Sequence, residues 1–462
     1  MKKSKKPRNK SKGQPKFKVN NWKSKAISRR KEIDSLRKRI KELTHSRDSW
    51  KAKYKSAKKG EGNHKGLAPQ KAAKHQYSLS LIVLIIELYK YGGMSLRSCR
   101  HSLSCMFLCL GLNHRIPSHS SIRNWVCKCG SYRVKMTAEQ SGDYVIYVDE
   151  SITFGSEKIL LILGASMESV SLKRALSHTD MKVLYVGVSQ EWKAHHIENQ
   201  LEKIALQKEI KYVVSDQGAN LRKAYKSLNY IHIEDCTHIL ANHLKRIYGK
   251  DAEFEIFRKL IGKLRQDWNL SKTKSQYMPP GMRGKMRFAN IFPCVKWAEK
   301  MLANWDDLSE DVQNRLAFLQ QKTDFIQSLI AVQTIFKTVC KKLKNEGFGA
   351  DQKALILDEL STIEAGEKAS LFIQNCKDYL DDLTVKSEML KQEKLLCCSD
   401  IIESYFGKFK AKINPNSRSG LTEYIFTMAV FGQAFSIQET KMALENVQCK
   451  HLVLNKKQVK VA

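Results

Sequence analysis

The stretch VIYVDE, residues 145–150, places two carboxylates directly behind an apolar run, and YVVSDQG, residues 212–218, repeats the arrangement further along the chain. An aspartate just past a strand is an ordinary turn former, because its side chain can bond the backbone two residues on. Two such aspartates also form one site if neighbouring strands carry them to the same sheet edge. The surrounding pattern supplies the strands. DYVIYVDE (143–150), EKILLILGA (157–165), MKVLYVGV (181–188), IKYVVSD (210–216) and YIHIED (230–235) read as strands. Helical spacing appears at 193–208, 218–227 and 236–249. Three strands, helix, strand, helix, strand, helix is the order neither of a sandwich nor of a doubly wound nucleotide fold. Neither GxGxxG nor GxxxxGK is present.

Charge sets the class of partner. The 462 residues carry 81 Lys and Arg against 46 Asp and Glu, a net +35 that favours a polyanion such as nucleic acid or an anionic surface. Residues 1–60 hold 24 of the cations and four acids, a net +20. The longest dense apolar stretch, LSLIVLIIELY at 79–89, is too short to span a bilayer and contains Glu87. No apolar signal-peptide core follows the basic start, so a cytoplasmic, nucleoid-associated protein without membrane contact is expected. The 12 cysteines are scattered and read as reduced, small buried hydrophobes; neither CKC at 127–129 nor the Cys397–Cys398 pair has CxxC spacing.

Residues 1–66 read as a basic tail and helix. From 22 to 58, Ile33, Leu36, Ile40 and Leu43 recur at helical spacing with Trp50 beyond, compatible with a short coiled coil or with an amphipathic helix lying on DNA or on the rest of the protein. GEGNHKG, 60–66, is a linker. Residues 67–136 read as a helix-turn-helix-like DNA-binding domain. There PSHSSIRNWVCKCG (117–130) begins a helix with serine, turns Ile122, Trp125 and Val126 inward and offers Ser121, Arg123, Asn124 and Lys128 to a major groove. Small three-helix bundles of other functions share the pattern.

Residues 250–390 show helical spacing and no convincing strand, with one break at YMPPGMRGKMRF (277–288). Its Arg283, Lys285 and Arg287 either face a phosphate backbone or belong to a solvated connection. After this block, SDIIESYFGKFK (399–410) predicts a helix capped by Ser399 or Asp400, with Ile402, Tyr405, Phe406 and Phe409 on its apolar side and Glu403 next to it. A further helix is predicted over 422–445, and a basic tail closes the chain at 447–462.

Asp149, Asp216 and Glu403, in these settings and this order, carry a resemblance: the chain resembles bacterial insertion-sequence transposases of the DDE type. The resemblance spans roughly 90–435 and implies an α/β RNase H-like core, a mixed five-stranded sheet with helices, built from 137–249 and 391–446 and interrupted by an all-α insertion at 250–390, behind an N-terminal helical DNA-binding region. It implies that the three carboxylates are catalytic and hold Mg²⁺, for which Mn²⁺ can substitute. It implies double-stranded DNA as partner, both terminal inverted repeats and target, with a homodimer or larger assembly on the DNA ends. Asp235-Cys236-Thr237-His238 matches an aspartate-or-cysteine, two residues, histidine pattern of the similar proteins, which makes Asp235 and His238 active-site support; His238 equally reads as a packed or capping residue. Lys408 and Lys410 are further candidates for phosphate or supporting contacts. Oxygen ligands suit hard Mg²⁺, and a metal pair about 3.5–4 Å apart can serve both the attacking and the leaving oxygen of a phosphodiester. Alternation along the strand points Glu150 away from Asp149. Other classes compatible with these features are a non-catalytic DNA-binding regulator and an RNase H-like structure-specific nuclease.

Overall fold

The computed structural model describes residues 17–60, 70–151, 156–172, 174–269, 271, 274–281, 289–413 and 421–452. Two compact units divide between Pro69 and Gln70. Among the described residues the first contains one helix, α1 (Phe17–Gly60), which covers the predicted 22–58 and carries Ile33, Leu36, Ile40 and Leu43 exposed.

The second unit is organised by a five-stranded mixed sheet. Its strands are β1 (Gly142–Glu150), β2 (Lys158–Ser166), β3 (Met181–Ser189), β4 (Lys208–Ser215) and β5 (His232–Glu234), in the spatial order β3-β2-β1-β4-β5. The β1/β2 and β2/β3 pairs are antiparallel; β1/β4 and β4/β5 are parallel. All five strands fall where alternation and turn residues predict them. The parallel pairs need crossovers, supplied by α6 (Ala194–Ala205) before β4 and α7 (Ala219–Ser227) before β5; α5 (Met167–Val170) is a short turn after β2.

Strands with helices on both sides read as continuous apolar runs, and β1 shows why. Ile146 and Val148 face a core with Val213, Ile197, Leu201 and Tyr225 from β4, α6 and α7. Val145 and Tyr147 face the opposite core with Tyr212, Val214 and the apolar side of α15 (Asp400–Lys410). That second core also takes in α8 (Cys236–Tyr248) and the helical block α9 (Ala252–Trp268), α10 (Phe292–Ala303), α11 (Glu310–Gln321), α12 (Thr323–Glu346), α13 (Ala350–Ser361) and α14 (Glu367–Leu390). The block lies between β5 and α15 in sequence. The Tyr379 hydroxyl of the block donates to the Glu234 carbonyl of β5 at 2.9 Å, and in the segment that leaves the block the Leu396 amide donates to Tyr212 Oη of β4 at 2.9 Å. No helix of the described residues is long and apolar enough to cross a membrane.

The helices α2 (Leu79–Tyr91), α3 (Leu96–Cys109) and α4 (His119–Glu139) stand close to the predicted positions, and Gly93 and Gly111 occupy the left-handed region (φ +61° and +62°) where the first two end. They share their core with α16 (Ile437–Asn446) and the 3-10 segment Glu423–Val430. The predicted helix over 422–445 is therefore two pieces. The break follows from Ser436, which caps α16 by accepting the Glu439 amide, and from Arg133, which donates to the Gln433 and Ala434 carbonyls and to Glu439 while its guanidinium lies 3.4 Å from the Phe435 ring centre. The break thus has its own hydrogen-bond partners and needs no continuous helix.

Gly130, mid-way along α4, lies so close to the 3-10 segment that a Cβ would sit 1.9 Å from the Phe426 carbonyl oxygen. Helix propensity alone favours alanine there by about 1 kcal/mol. We expect Gly130→Ala to destabilise the protein by at least about 2 kcal/mol, because backbone and not a flexible side-chain tip must move; a denaturant midpoint equal to or above the parent's would contradict this.

Candidate active site

The parallel register of β1 and β4 brings the two aspartates together. The last matched pairs are Ile146↔Val213 and Tyr147↔Val214, so Asp149 and Asp216 lie two residues further on, side by side at the carboxyl end of adjacent strands. Alternation puts both on the face of Tyr147 and Val214, and α15 packs over that face through Ile402, Tyr405, Phe406 and Phe409. Glu403 is on α15. Glu150 faces the other way: its Oε1 accepts from Lys158 Nζ at 3.1 Å.

Asp149 feels both of the other carboxylates. Asp149 keeps partial solvent contact, yet burial lifts its carboxyl pKa to about 8, with the Asp216 charge adding to the rise, Glu403 and Glu150 contributing less, and a backbone hydrogen bond opposing it. Glu403 is also raised, first by desolvation and then by Asp235 and Asp400, against the opposing pull of His238 and Lys344. Asp216 is held by a turn of the kind its sequence allows, accepting the Gly218 amide at 2.9 Å through Oδ1. A turn former and a member of the cluster are here the same residue.

Asp235 and His238 stand in the surroundings of Glu403. Asp235 is buried and caps α8 by accepting the His238 amide at 2.9 Å. Its other oxygen accepts the Ser399 amide at 2.6 Å and the Ser399 hydroxyl at 3.0 Å. Ser399 thus stands at the N-cap position of α15 without capping it through its side chain, contrary to the cap expected of it; its hydroxyl is spent on Asp235. The His238 ring stands between carboxylates, Nδ1 3.8 Å from Asp235 and Nε2 3.7 Å from Glu403. Sequence spacing gives no hint of Lys344, a residue of α12 that pairs with Asp400 at 2.6 Å and brings the insertion to the base of α15.

Among the described residues, one group of three potential ligands has all its donor atoms within 4.8 Å of one another, and it is Asp235, Cys398 and Asp400. Protein donors already occupy it: Asp235 holds Ser399 and His238, Asp400 holds Lys344, and Cys398 Sγ accepts the Asp400 amide at 3.4 Å. A metal there would displace satisfied bonds, and its mixture of thiol and carboxylate suits no single hard cation. Asp149, Asp216 and Glu403 offer only oxygen, and burial above all raises the pKa values of Asp149 and Glu403. Their chemistry fits Mg²⁺ or Mn²⁺. The Glu403 side chain is 55% exposed.

Other predicted contacts have different surroundings. Lys408 feels Lys90 and interacts with His178, and its ammonium lies 5.9 Å from the Phe431 ring centre; Lys410 lies 5.8 Å from that of Phe406. On α4, Arg123 is paired with Glu423 at 2.7 Å, Lys128 donates to the Leu444 carbonyl at 3.2 Å, Ser121 shares a hydrogen bond with Ser118, and Asn124 is half-buried. Arg123 and Lys128 thus engage the C-terminal segments of the same chain. The predicted Arg283, Lys285 and Arg287 lie outside the described residues.

The raised Asp149 pKa has a measurable sign. Its folded value is about 8 against an ordinary 3.8, so the contribution to stability is fully present below pH 3.8 and is lost as pH rises through 8. In metal-free buffer, Asp149→Asn should gain stability over the parent between pH 4 and pH 8, with the gap widening as pH rises. Urea denaturation across that range tests it; a gap independent of pH would show that Asp149 is not proton-loaded in the folded chain.

Comparison with known protein families and with curated proteins returned no match to this chain.

Proposed function

We propose that the chain is a DDE-type DNA transposase, with an RNase H-like core that cleaves the ends of its mobile element and joins their 3′ ends to target DNA. The observation that carries this reading is the placement of Asp149 and Asp216 at matched ends of parallel β1 and β4, with Glu403 delivered over the same sheet face by a helix that follows a helical block. The strand order β3-β2-β1-β4-β5 supports it, as does the net charge of +35.

Asp149, Asp216 and Glu403 would hold Mg²⁺, which when bound supplies charge to activate an attacking oxygen and to stabilise the leaving 3′ oxygen. The chain's own residues prepare that site. Asp149 sheds the proton that burial and its neighbours favour. His238 and Asp235 fix the approach of Glu403, because Asp235 ties the start of α8 to the start of α15. The substrate is double-stranded DNA, two ends at a time, which calls for at least two copies of the protein.

The decisive assay incubates the full chain with a plasmid carrying the gene and its flanking DNA, with Mg²⁺ or with chelator. We expect metal-dependent nicking at the element ends followed by joining of 3′ ends. Asp149→Ala, Asp216→Ala and Glu403→Ala should each lower both steps by more than about a hundredfold with DNA binding retained, whereas Glu150→Ala stays within a few fold. Cleavage without joining would identify a nuclease, and binding unaffected by metal with no cutting would identify a regulator.

Residues 1–60 should supply sequence-independent affinity. Their net +20 displaces condensed counterions, so deleting them should flatten the dependence of log K on log salt more than it alters preference among DNA sequences. An unchanged salt slope would mean that this segment does not meet phosphate.

A further inference from the structure

Helix α1 is 44 residues long, about 66 Å at 1.5 Å per residue. Its side chains from Glu32 to Lys51 are exposed, including Ile33 (48%), Leu36 (56%), Ile40 (63%) and Leu43 (58%). Four branched aliphatic residues repeating at 3-4-3 spacing make a stripe along one side. A helix of this polarity derives most of its stability from covering such a stripe. The spacing is that of a heptad with Ile33 and Ile40 at the a positions and Leu36 and Leu43 at d; Arg47 takes the next a position and Trp50 the next d.

We infer that α1 pairs with α1 of a second copy as a parallel two-stranded coiled coil, and that residues 33–43 form its seam. β-Branched isoleucine at a with leucine at d is the combination that favours two parallel strands. The flanking charges choose the direction. In the parallel register, Glu32 at g faces Arg37 at e of the second copy, and this pair occurs twice by symmetry. In the antiparallel register that matches the same apolar layers, Arg37 faces Arg37 and Arg39 faces Arg39, so like charges meet across the middle of the seam. Within each helix Arg37 lies 3.8 Å from Asp34 and Arg39 lies 3.7 Å from Glu42, both highly exposed pairs that leave the cations available to a neighbour. Arg47 at an a position ends the apolar stretch and limits the seam to its N-terminal side.

This inference gives the partner of the proposed transposase a stated geometry, but it needs neither DNA nor metal. Its failure is therefore separable from failure of the carboxylate reading. The full chain is measured by size-exclusion chromatography with light scattering at micromolar concentration, in chelator and without DNA. The expected mass is twice 53.0 kDa. Leu36→Glu combined with Ile40→Glu should return it to 53.0 kDa with the thermal transition of the folded body retained. A monomeric parent, or a dimer that survives the double glutamate change, overturns the seam. A charge exchange tests the direction without disturbing the apolar layers. Glu32→Lys should weaken dimerisation about tenfold, and adding Arg37→Glu should restore it. A dimer indifferent to Glu32→Lys, or one not rescued by the second change, overturns the parallel register.

Discussion

One buried carboxylate joins the two halves of the site. Asp235 lies at the end of the strand-rich segment, and Ser399 comes 164 residues later, where the chain returns from the helical block. Bonds from the His238 amide, the Ser399 amide and the Ser399 hydroxyl satisfy Asp235 from both sides of the interruption. A buried acceptor of this kind is worth little in net energy when satisfied but costs about 1–3 kcal/mol for each group left unpaired. Its value is therefore positional: the start of α15 can occupy few places other than the one that completes these bonds. The Cys236 amide, donating to the Cys397 carbonyl at 2.8 Å, adds a second tie at the same junction.

From that junction the rest of the site follows with little freedom. The β1/β4 register decides where the aspartates stand, and the apolar side of α15 decides which face of the sheet it covers. Glu403 is then delivered to the neighbourhood of Asp149 by packing at Ile402, Tyr405 and Phe406, residues with no chemistry of their own. Burial, with repulsion from Asp216 added, is the cost of this convergence, expressed as proton uptake at Asp149.

The strands were legible in the sequence because each is a short apolar run closed by turn residues, and the opposition of Asp149 and Glu150 was legible because side chains alternate along a strand. The division of the chain near residue 67 and the helical character of 250–390 were readable from composition and period. What escaped were relations among distant segments. Nothing local to SSIRNW announces that Arg123 has Glu423 as its partner, and nothing in the C-terminal stretch announces that Arg133 takes up the carbonyls where the expected helix breaks. Lys344 is likewise one lysine among many until α12 is seen against α15. Amphipathic period predicts that a helix has a covered face; it does not say which polar residues of the remaining face find partners in the same chain.

The place of the helical block in the chain also orders events in time. Asp216 leaves the ribosome 187 residues before Glu403, and Asp149 earlier still. At ~5–20 residues per second, the interval is roughly 10–40 s, long enough for the strands and α6 and α7 to settle. Throughout it the nascent chain carries two of the three carboxylates and the basic N-terminal segment, so on the proposed reading it would meet DNA before it possesses a complete acidic cluster. A prematurely terminated product ending anywhere in the block would share that condition: the cations of the full chain's N-terminal segment without the third carboxylate.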